Sequence, residues 1–174
     1  MATKLDVANA SGMPVYSDAN GTLRLTFGHV QGYRPQDALQ ALPFTTLSGL
    51  AAKAGDAPFD APPDYVAAAR TGSDSRWAVP ELSDVPVNFL SDLDITGGNS
   101  GSAILDAQGQ LIGLAFDGNW ESIVTDWMFL DDVTRCIGVD VRYVMWNLEQ
   151  EPGAARILDE LGVDGPSTEE PPTP

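Results

Sequence analysis

The chain has 174 residues, with 9 Lys or Arg against 25 Asp or Glu, and its formal net charge is −16. An acidic excess of this size repels nucleic-acid phosphates and anionic lipid headgroups, so we expect neither nucleic acid nor membrane as a partner. The apolar fraction of 43% is too high for a disordered chain and predicts a folded domain with a packed core.

The chain contains one histidine, His29, and one cysteine, Cys136. Together they provide too few ligands for a zinc site, and we expect neither a metal nor another cofactor. Cys136 lies among apolar neighbours and is predicted to be a buried small hydrophobic residue. The first residues lack the apolar stretch of a secretory signal, and no apolar run is long enough to span a membrane.

The first part of the chain predicts little regular structure. Residues 1–21 are small and polar with several turn formers, which indicates an irregular lead-in. Residues 22–28 alternate polar with apolar side chains, so they predict a half-buried strand, and residues 30–33 are expected to pair with it as a hairpin. The apolar members of this alternation are Leu23, Leu25 and Phe27.

A helical excursion on the surface is predicted between about residues 36 and 80. Thr45 and Thr46 come directly before Leu47, which is typical of a helix start. Prolines and glycines then interrupt the chain repeatedly, so any further helix here is short.

The composition becomes β-like from Val85 onward. A strand is predicted over 85–90, before Ser91, and the apolar runs 103–105 and 111–116 predict a hairpin because a short glycine-containing turn, 106–109, joins them.

The chain is predicted to end in helices over about 140–161. Val141, Val144, Met145 and Leu148 recur at helical spacing behind Asp140, and a second helical pattern follows Pro152. Gly162 stands where a helix C-cap belongs. Residues 164–174 are rich in proline and acid and predict a disordered tail.

The segment 94–102, with the sequence DITGGNSGS, carries the chemistry of this chain. It places glycines on both sides of Ser100, as a nucleophilic serine on a tight turn requires. In such a loop the backbone N–H groups of Gly98 and Ser100 would form an oxyanion hole. The alternative is a glycine-rich turn without a chemical role.

Four segments of the chain, in order, resemble the C-terminal part of the S46 family of bacterial dipeptidyl-peptidases, and the resemblance runs from about Thr22 to about Gly162. They are TLRLTFGHVQGYRP, NFLSDLDITGGNSGSAILDAQGQLIGLAFDGNWESIVTDWMF, TRCIGVDVRYVMW and GAARILDEL.

This resemblance implies a mainly β fold: the second, nucleophile-bearing Greek-key barrel of a trypsin-like or chymotrypsin-like peptidase, with six strands over 22–163 and C-terminal helices. It implies a serine-type enzyme that releases dipeptides from free peptide N-termini. It also implies that the full-length protein is periplasmic or secreted and homodimeric.

The family's functional residues are carried over by position. Ser100 matches the nucleophile, and Gly98 with the amide of Ser100 matches the oxyanion hole. The stretch 113–119 matches the strand that lines the specificity pocket, with Gly118 where the family selects the penultimate side chain. Phe116, Asp117 and Asn119 belong to the same substrate-binding stretch. Because Gly118 is not a cation, a hydrophobic penultimate residue is predicted, although Gly118 could instead only serve an Asp-Gly turn.

The general base is the missing part of this site. His29 falls where the family has no catalytic residue, so we interpret it as an exposed or turn residue, and Asp117 and Asp126 as structural carboxylates. The histidine and aspartate are expected from polypeptide upstream of these residues, which leaves the chain alone nearly inactive and with an exposed apolar face. Two alternatives stay open: a non-catalytic β-barrel interaction module, and a complete enzyme that uses His29 as its base.

Overall fold

The computed structural model describes residues 10, 12, 21, 23–125 and 127–163. The predicted tail 164–174, Thr22, Asp126 and most of the lead-in 1–21 lie outside the described residues. In chain order the strands are β1 (Tyr33–Gln36), β2 (Leu39–Ala41), β3 (Phe44–Thr46), β4 (Pro86–Ser91), β5 (Ala103–Leu105), β6 (Leu111–Gly118) and β7 (Cys136–Asp140). The helices are α1 (Leu47–Lys53), α2 (Pro63–Ala69), α3 (Val141–Gln150) and α4 (Ala155–Glu160), with short 3-10 helices at Gly72–Asp74 and Trp120–Val124.

The strands form two sheets, and the prediction of a mainly β fold with helices is confirmed. β1 and β2 make a two-stranded hairpin, and the other strands make a five-stranded sheet in the order β3-β4-β7-β6-β5. β7 pairs antiparallel with both β4 and β6, and β5 pairs antiparallel with β6. Within the described residues this sheet is open, with β3 and β5 at its edges, so the predicted six-stranded Greek-key barrel is not confirmed.

The strand predicted over 22–28 is wrong for its described part. Residues 23–29 have no strand pairing, and Leu23, Leu25 and Phe27 are exposed. The segment bonds to the end of β4 and the residues after it without forming a strand ladder: Val30 forms an isolated bridge with Ser91, Asp92 N donates to His29 O at 3.1 Å, and Asp94 N donates to Thr26 Oγ1 at 3.2 Å. Its alternating apolar residues have no partner among the described residues to bury them, and Tyr33 instead begins the β1–β2 hairpin.

Local start and stop signals were confirmed for the helices. Thr46 is the N-cap of α1, and its hydroxyl accepts from Gly49 N at 3.4 Å. Gly162 follows α4 in the left-handed conformation, with φ of 67°, and donates to Asp159 O at 3.0 Å. The excursion between 36 and 80 contains α1 and α2 but also β2 and β3, which the sequence did not predict. Across the described positions, none of the helices has both the length and the apolar character for crossing a bilayer.

The chain divides into two compact units, and the candidate site lies in the first. The first unit comprises residues 1–45 and 87–140, and its core consists of Phe89, Ile104, Ala115 and Cys136. The second comprises residues 46–86 and 141–174, where Trp146 is buried and meets Tyr65 edge-on with ring centroids 5.2 Å apart. Cys136 is fully buried, as predicted.

Candidate active site

The loop between β4 and β5 presents Ser100 on a turn that its own side chains and glycines shape. Asn99 closes the turn, because its amide donates to Thr96 O at 3.2 Å and its side-chain oxygen accepts from Thr96 N at 2.9 Å. Gly98 and Gly101, with φ of 99° and 83°, hold left-handed conformations on either side of Ser100. These conformations favour glycine strongly, so the spacing of the two glycines is a structural requirement of the turn.

The end of this loop is bonded to strand β6. Gly101 N donates to Ala115 O at 2.7 Å, and Ala115 N donates to Ser102 O at 2.8 Å. These bonds extend the β5–β6 ladder into the loop, so the residue after Ser100 is fixed to the middle of β6. Ser100 itself is exposed. The structure therefore brings Ser100 next to the strand that carries Phe116, Asp117 and Gly118.

The backbone amides of the loop alternate between bonded and unbonded. The amides of Asn99, Gly101 and Ser102 all donate within the protein, to Thr96, Ala115 and Asn99 respectively. Over the part of the chain that the structure describes, the amides of Gly98 and Ser100 donate to no group. Two unused N–H donors beside an exposed hydroxyl can stabilise negative charge on an oxygen that approaches the serine.

Strand β6 carries a bulge where it passes the serine loop. Ala115 is opposite Gly138 and Asp117 is opposite Ile137, so Phe116 is an extra residue in β6. Bulges of this kind redirect side chains and are frequent beside active sites. Phe116 is exposed, while one carboxylate oxygen of Asp117 accepts from Gly118 N at 2.8 Å.

Asn119 is buried and all of its polar groups are used inside the protein. Its backbone N–H donates to Arg135 O at 2.9 Å, and its side-chain oxygen accepts from Arg135 N at 2.9 Å. Its side-chain nitrogen donates to Val133 O at 2.7 Å and to Glu121 Oε2 at 2.8 Å. The side chain thus ties the two ends of the loop 119–135 together. Asn119 is predicted to belong to the substrate-binding stretch. Because its polar groups are already used, it positions that stretch and does not bond to a substrate directly.

Arg135 pairs with Asn119 through its backbone and was not singled out by the sequence analysis. It is only 4% exposed. Its guanidinium donates to backbone oxygens of Gly32, Asp131 and Thr134 at 3.2, 2.9 and 2.6 Å and faces the ring of Tyr33. No sequence signal could have found it, because Gly32 is 103 positions away. A guanidinium occupied in this way stabilises the loop rather than a substrate carboxylate.

His29 is exposed, as expected, and it lies beside a carboxylate. Its Nδ1 is 3.9 Å from Asp92 Oδ2, and its backbone N–H donates to Asp92 Oδ1 at 2.5 Å. Gln31 Nε2 also donates to Asp92 Oδ2 at 2.6 Å. At 3.9 Å the Nδ1–Oδ2 separation is longer than a hydrogen bond, so the carboxylate lies near the imidazole without bonding to it. Among the described residues Asp117 makes only its local bond to Gly118, and Asp126 lies outside that part of the chain.

An exposed serine on a glycine turn, two amides that are unbonded among the described residues and a bulged strand beside them are features that hydrolases use for acyl transfer. Comparison with known proteins gives the family. The sequence model of Peptidase S46 matches residues 1–163, and the chain belongs to the peptidase S46 family.

Curated relatives in this family are dipeptidyl-peptidases of two kinds. The chain is 40% identical over 183 residues to an Asp/Glu-specific dipeptidyl-peptidase of Shewanella putrefaciens, covering 92% of this chain and 25% of the relative. It is 40% identical over 156 residues to dipeptidyl-peptidase 7 of Phocaeicola vulgatus, covering 86% of this chain and 21% of the relative. This chain therefore spans about a quarter of the length of the relatives it matches.

Solved structures give the same family. The crystal structure of Porphyromonas endodontalis DPP11 in complex with the dipeptide Arg-Asp matches with a TM-score of 0.77 and 33% identity. The match covers 93% of this chain and 23% of that one. The complex of the same protein with Arg-Glu matches with a TM-score of 0.78 and 34% identity.

Proposed function

We propose that this chain supplies the nucleophile, the oxyanion hole and the specificity strand of a serine-type dipeptidyl-peptidase. The observation that carries this proposal is the pair of unused amides, Gly98 and Ser100, beside the exposed Ser100 hydroxyl. Its substrate is a peptide with a free N-terminus, from which a dipeptide is released.

The reaction follows from these groups. Ser100 Oγ attacks the carbonyl carbon of the second residue while its proton passes to a base, and the carbonyl oxygen becomes an oxyanion held by the amides of Gly98 and Ser100. The carbon–nitrogen bond then breaks, the amine leaves with the proton from the base, and the dipeptide remains as an ester on Ser100. Water hydrolyses this ester and regenerates the hydroxyl.

We propose that the base and its aspartate come from polypeptide beyond these residues, as the length of the relatives supports. A second candidate uses His29 as the base, and the observation that favours it is the nearby carboxylate of Asp92, whose Oδ2 lies 3.9 Å from His29 Nδ1.

The proposed preference is for a hydrophobic penultimate residue. Gly118 provides no charge, Phe116 is an exposed apolar neighbour, and the guanidinium of Arg135 is occupied by backbone oxygens. A substrate carboxylate would therefore lack a cationic partner on this strand. Overall identity does not decide the preference, since relatives of both kinds are 40% identical to this chain.

A hybrid enzyme tests the proposal. Residues 23–163 of this chain replace the matching segment of the Shewanella putrefaciens relative, and release of dipeptides ending in Leu or Asp is measured with chromogenic peptides. We expect activity on the Leu peptide that Ser100→Ala abolishes and His29→Ala leaves intact. Absence of activity from a folded hybrid would contradict the proposal.

Labelling with a fluorophosphonate separates the candidates further. Reaction of Ser100 in the 174-residue chain alone, lost in His29→Ala, would favour His29 as base. Reaction only in the hybrid supports the first proposal, and reaction in neither favours a non-catalytic interaction module. By the same family analogy we propose that the working enzyme is an exported homodimer, which fractionation of cells and light scattering of the enzyme can test.

A further inference from the structure

We infer that Ser122 is a further specificity-determining residue, because its side chain occupies the space that any side chain at position 118 would need. The inference rests on the proposed function, in which Gly118 lies where the penultimate side chain of the substrate is selected. The inference adds Ser122 to the residues that select the penultimate side chain, and it explains why position 118 carries no charged side chain.

The contact between the two residues is direct. A Cβ built on Gly118 would lie 2.9 Å from Ser122 Cβ and would clash with Ser122 Oγ. The backbone of Gly118 does not require glycine, because its φ lies outside the left-handed region. The neighbouring side chain, rather than the backbone conformation, therefore excludes other residues from position 118.

Ser122 is held in this place by Asn119. The Ser122 hydroxyl donates to Asn119 O at 2.6 Å, and the Ser122 amide donates to the same oxygen at 3.0 Å. This oxygen is available because the side chain of Asn119, instead of its backbone carbonyl, pairs with Arg135 N. Asn119 thus ends strand β6, begins the 3-10 helix and positions Ser122 over Gly118.

Asn119 cannot shift easily to relieve a clash. It is 8% exposed and is bonded to Arg135, Val133 and Glu121. Rotation of the Ser122 hydroxyl away from Gly118 would break its bond to Asn119 and would leave the Cβ contact unrelieved. Hence a cation at position 118 is compatible with this loop only when residue 122 has no side chain.

The first experiment measures the contact without any need for activity. Thermal midpoints are compared for the full chain and for Gly118→Ala, Ser122→Gly and the double variant. We expect Gly118→Ala to lower the midpoint by several degrees when Ser122 is present and to have little further effect in the Ser122→Gly background. Gly153→Ala is the matched control, because its Cβ would meet nothing within 4 Å. Equal effects of Gly118→Ala in both backgrounds would overturn the inference.

The second experiment measures specificity in the hybrid enzyme. Gly118→Arg alone is expected to lower kcat/KM for both Leu and Asp peptides, because the loop is displaced. Gly118→Arg with Ser122→Gly is expected to raise the ratio of kcat/KM for Asp over Leu peptides by about tenfold, mainly through a lower KM for the Asp peptide. A full change of preference by Gly118→Arg alone would show that Ser122 has no role. Loss of all activity in the unsubstituted hybrid would instead contradict the proposed function, while the thermal comparison would still test the contact.

Discussion

Arg135 is a single buried cation that stabilises the conformation of the loop 119–135. Its guanidinium donates to the carbonyl oxygens of Asp131, Asp132, Thr134 and Gly32, so four backbone acceptors depend on it. Arg135→Met retains length and apolar contact but leaves the buried oxygen of Thr134 and the other, part-buried oxygens without this donor. We expect the free energy of unfolding to fall by about 2 to 4 kcal/mol, measured by urea denaturation. Arg34→Met, at an exposed position, is the control, and equal losses would contradict this role.

Cys136 provides a second test at the scale of one residue. Burial raises the pKa of its thiol from 9.0 to about 11, and the Ser91 side chain acts in the opposite direction. The folded thiol stays protonated where the unfolded thiol ionises, so its contribution to stability is present below pH 9 and is lost as the pH rises towards 11. We expect slow reaction with a disulfide reagent at pH 8 and rapid reaction in urea. Equally fast reaction of the folded chain would show that the thiol is accessible.

Among the secondary-structure elements, strands β4, β6 and β7 are linked by the ring of Phe89. A Cβ on Gly113 would lie 2.6 Å from Phe89 Cε1, and a Cβ on Gly138 would lie 2.6 Å from Phe89 Cζ. Gly138→Ala should therefore overpack the core and lower the free energy of unfolding by about 1 to 3 kcal/mol. Gly153→Ala, where a Cβ meets nothing within 4 Å, should be nearly neutral in the same urea titration. A neutral Gly138→Ala would mean that the core can rearrange around the methyl group.

Sequence patterns predicted the elements whose signals are local. The hairpin of β5 and β6 was found because apolar runs flank a glycine turn, and α1 was found because Thr46 caps it. β1 was missed because Pro35 and exposed polar residues hide its strand character. The alternation over 22–28 predicted a half-buried strand wrongly. Burial of its apolar side chains requires a partner surface, and the described residues provide none.

The candidate site also has one part that local sequence signals predict and one part that they do not. The Ser100 loop was recognisable because the turn requires glycines at fixed positions beside it. Two other features were not recognisable: the hydrogen bonds between Asn119 and Arg135, and the contact of Ser122 with Gly118. Both depend on the path of the loop 119–135 and not on residue type.

The whole molecule combines a strong negative charge with exposed apolar side chains, and the two have opposite effects on association. Leu23, Phe27 and Trp120 are 88%, 86% and 82% exposed, which is unusual for large apolar residues. The net charge of −16 makes copies of the chain repel one another at low ionic strength. Salt screens this repulsion but leaves the attraction between apolar surfaces in place.

The full chain should therefore self-associate as salt is added. We expect light scattering to give a monomer at about 20 mM NaCl and larger species at about 500 mM, with binding of a dye specific for apolar surface at both concentrations. A variant with Leu23→Ser, Leu25→Ser and Phe27→Ser should bind less dye and associate less, while its thermal midpoint stays close to that of the parent, because these exposed side chains contribute little to the core. A chain that stays monomeric at both salt concentrations and binds no dye would show that these side chains are covered in solution.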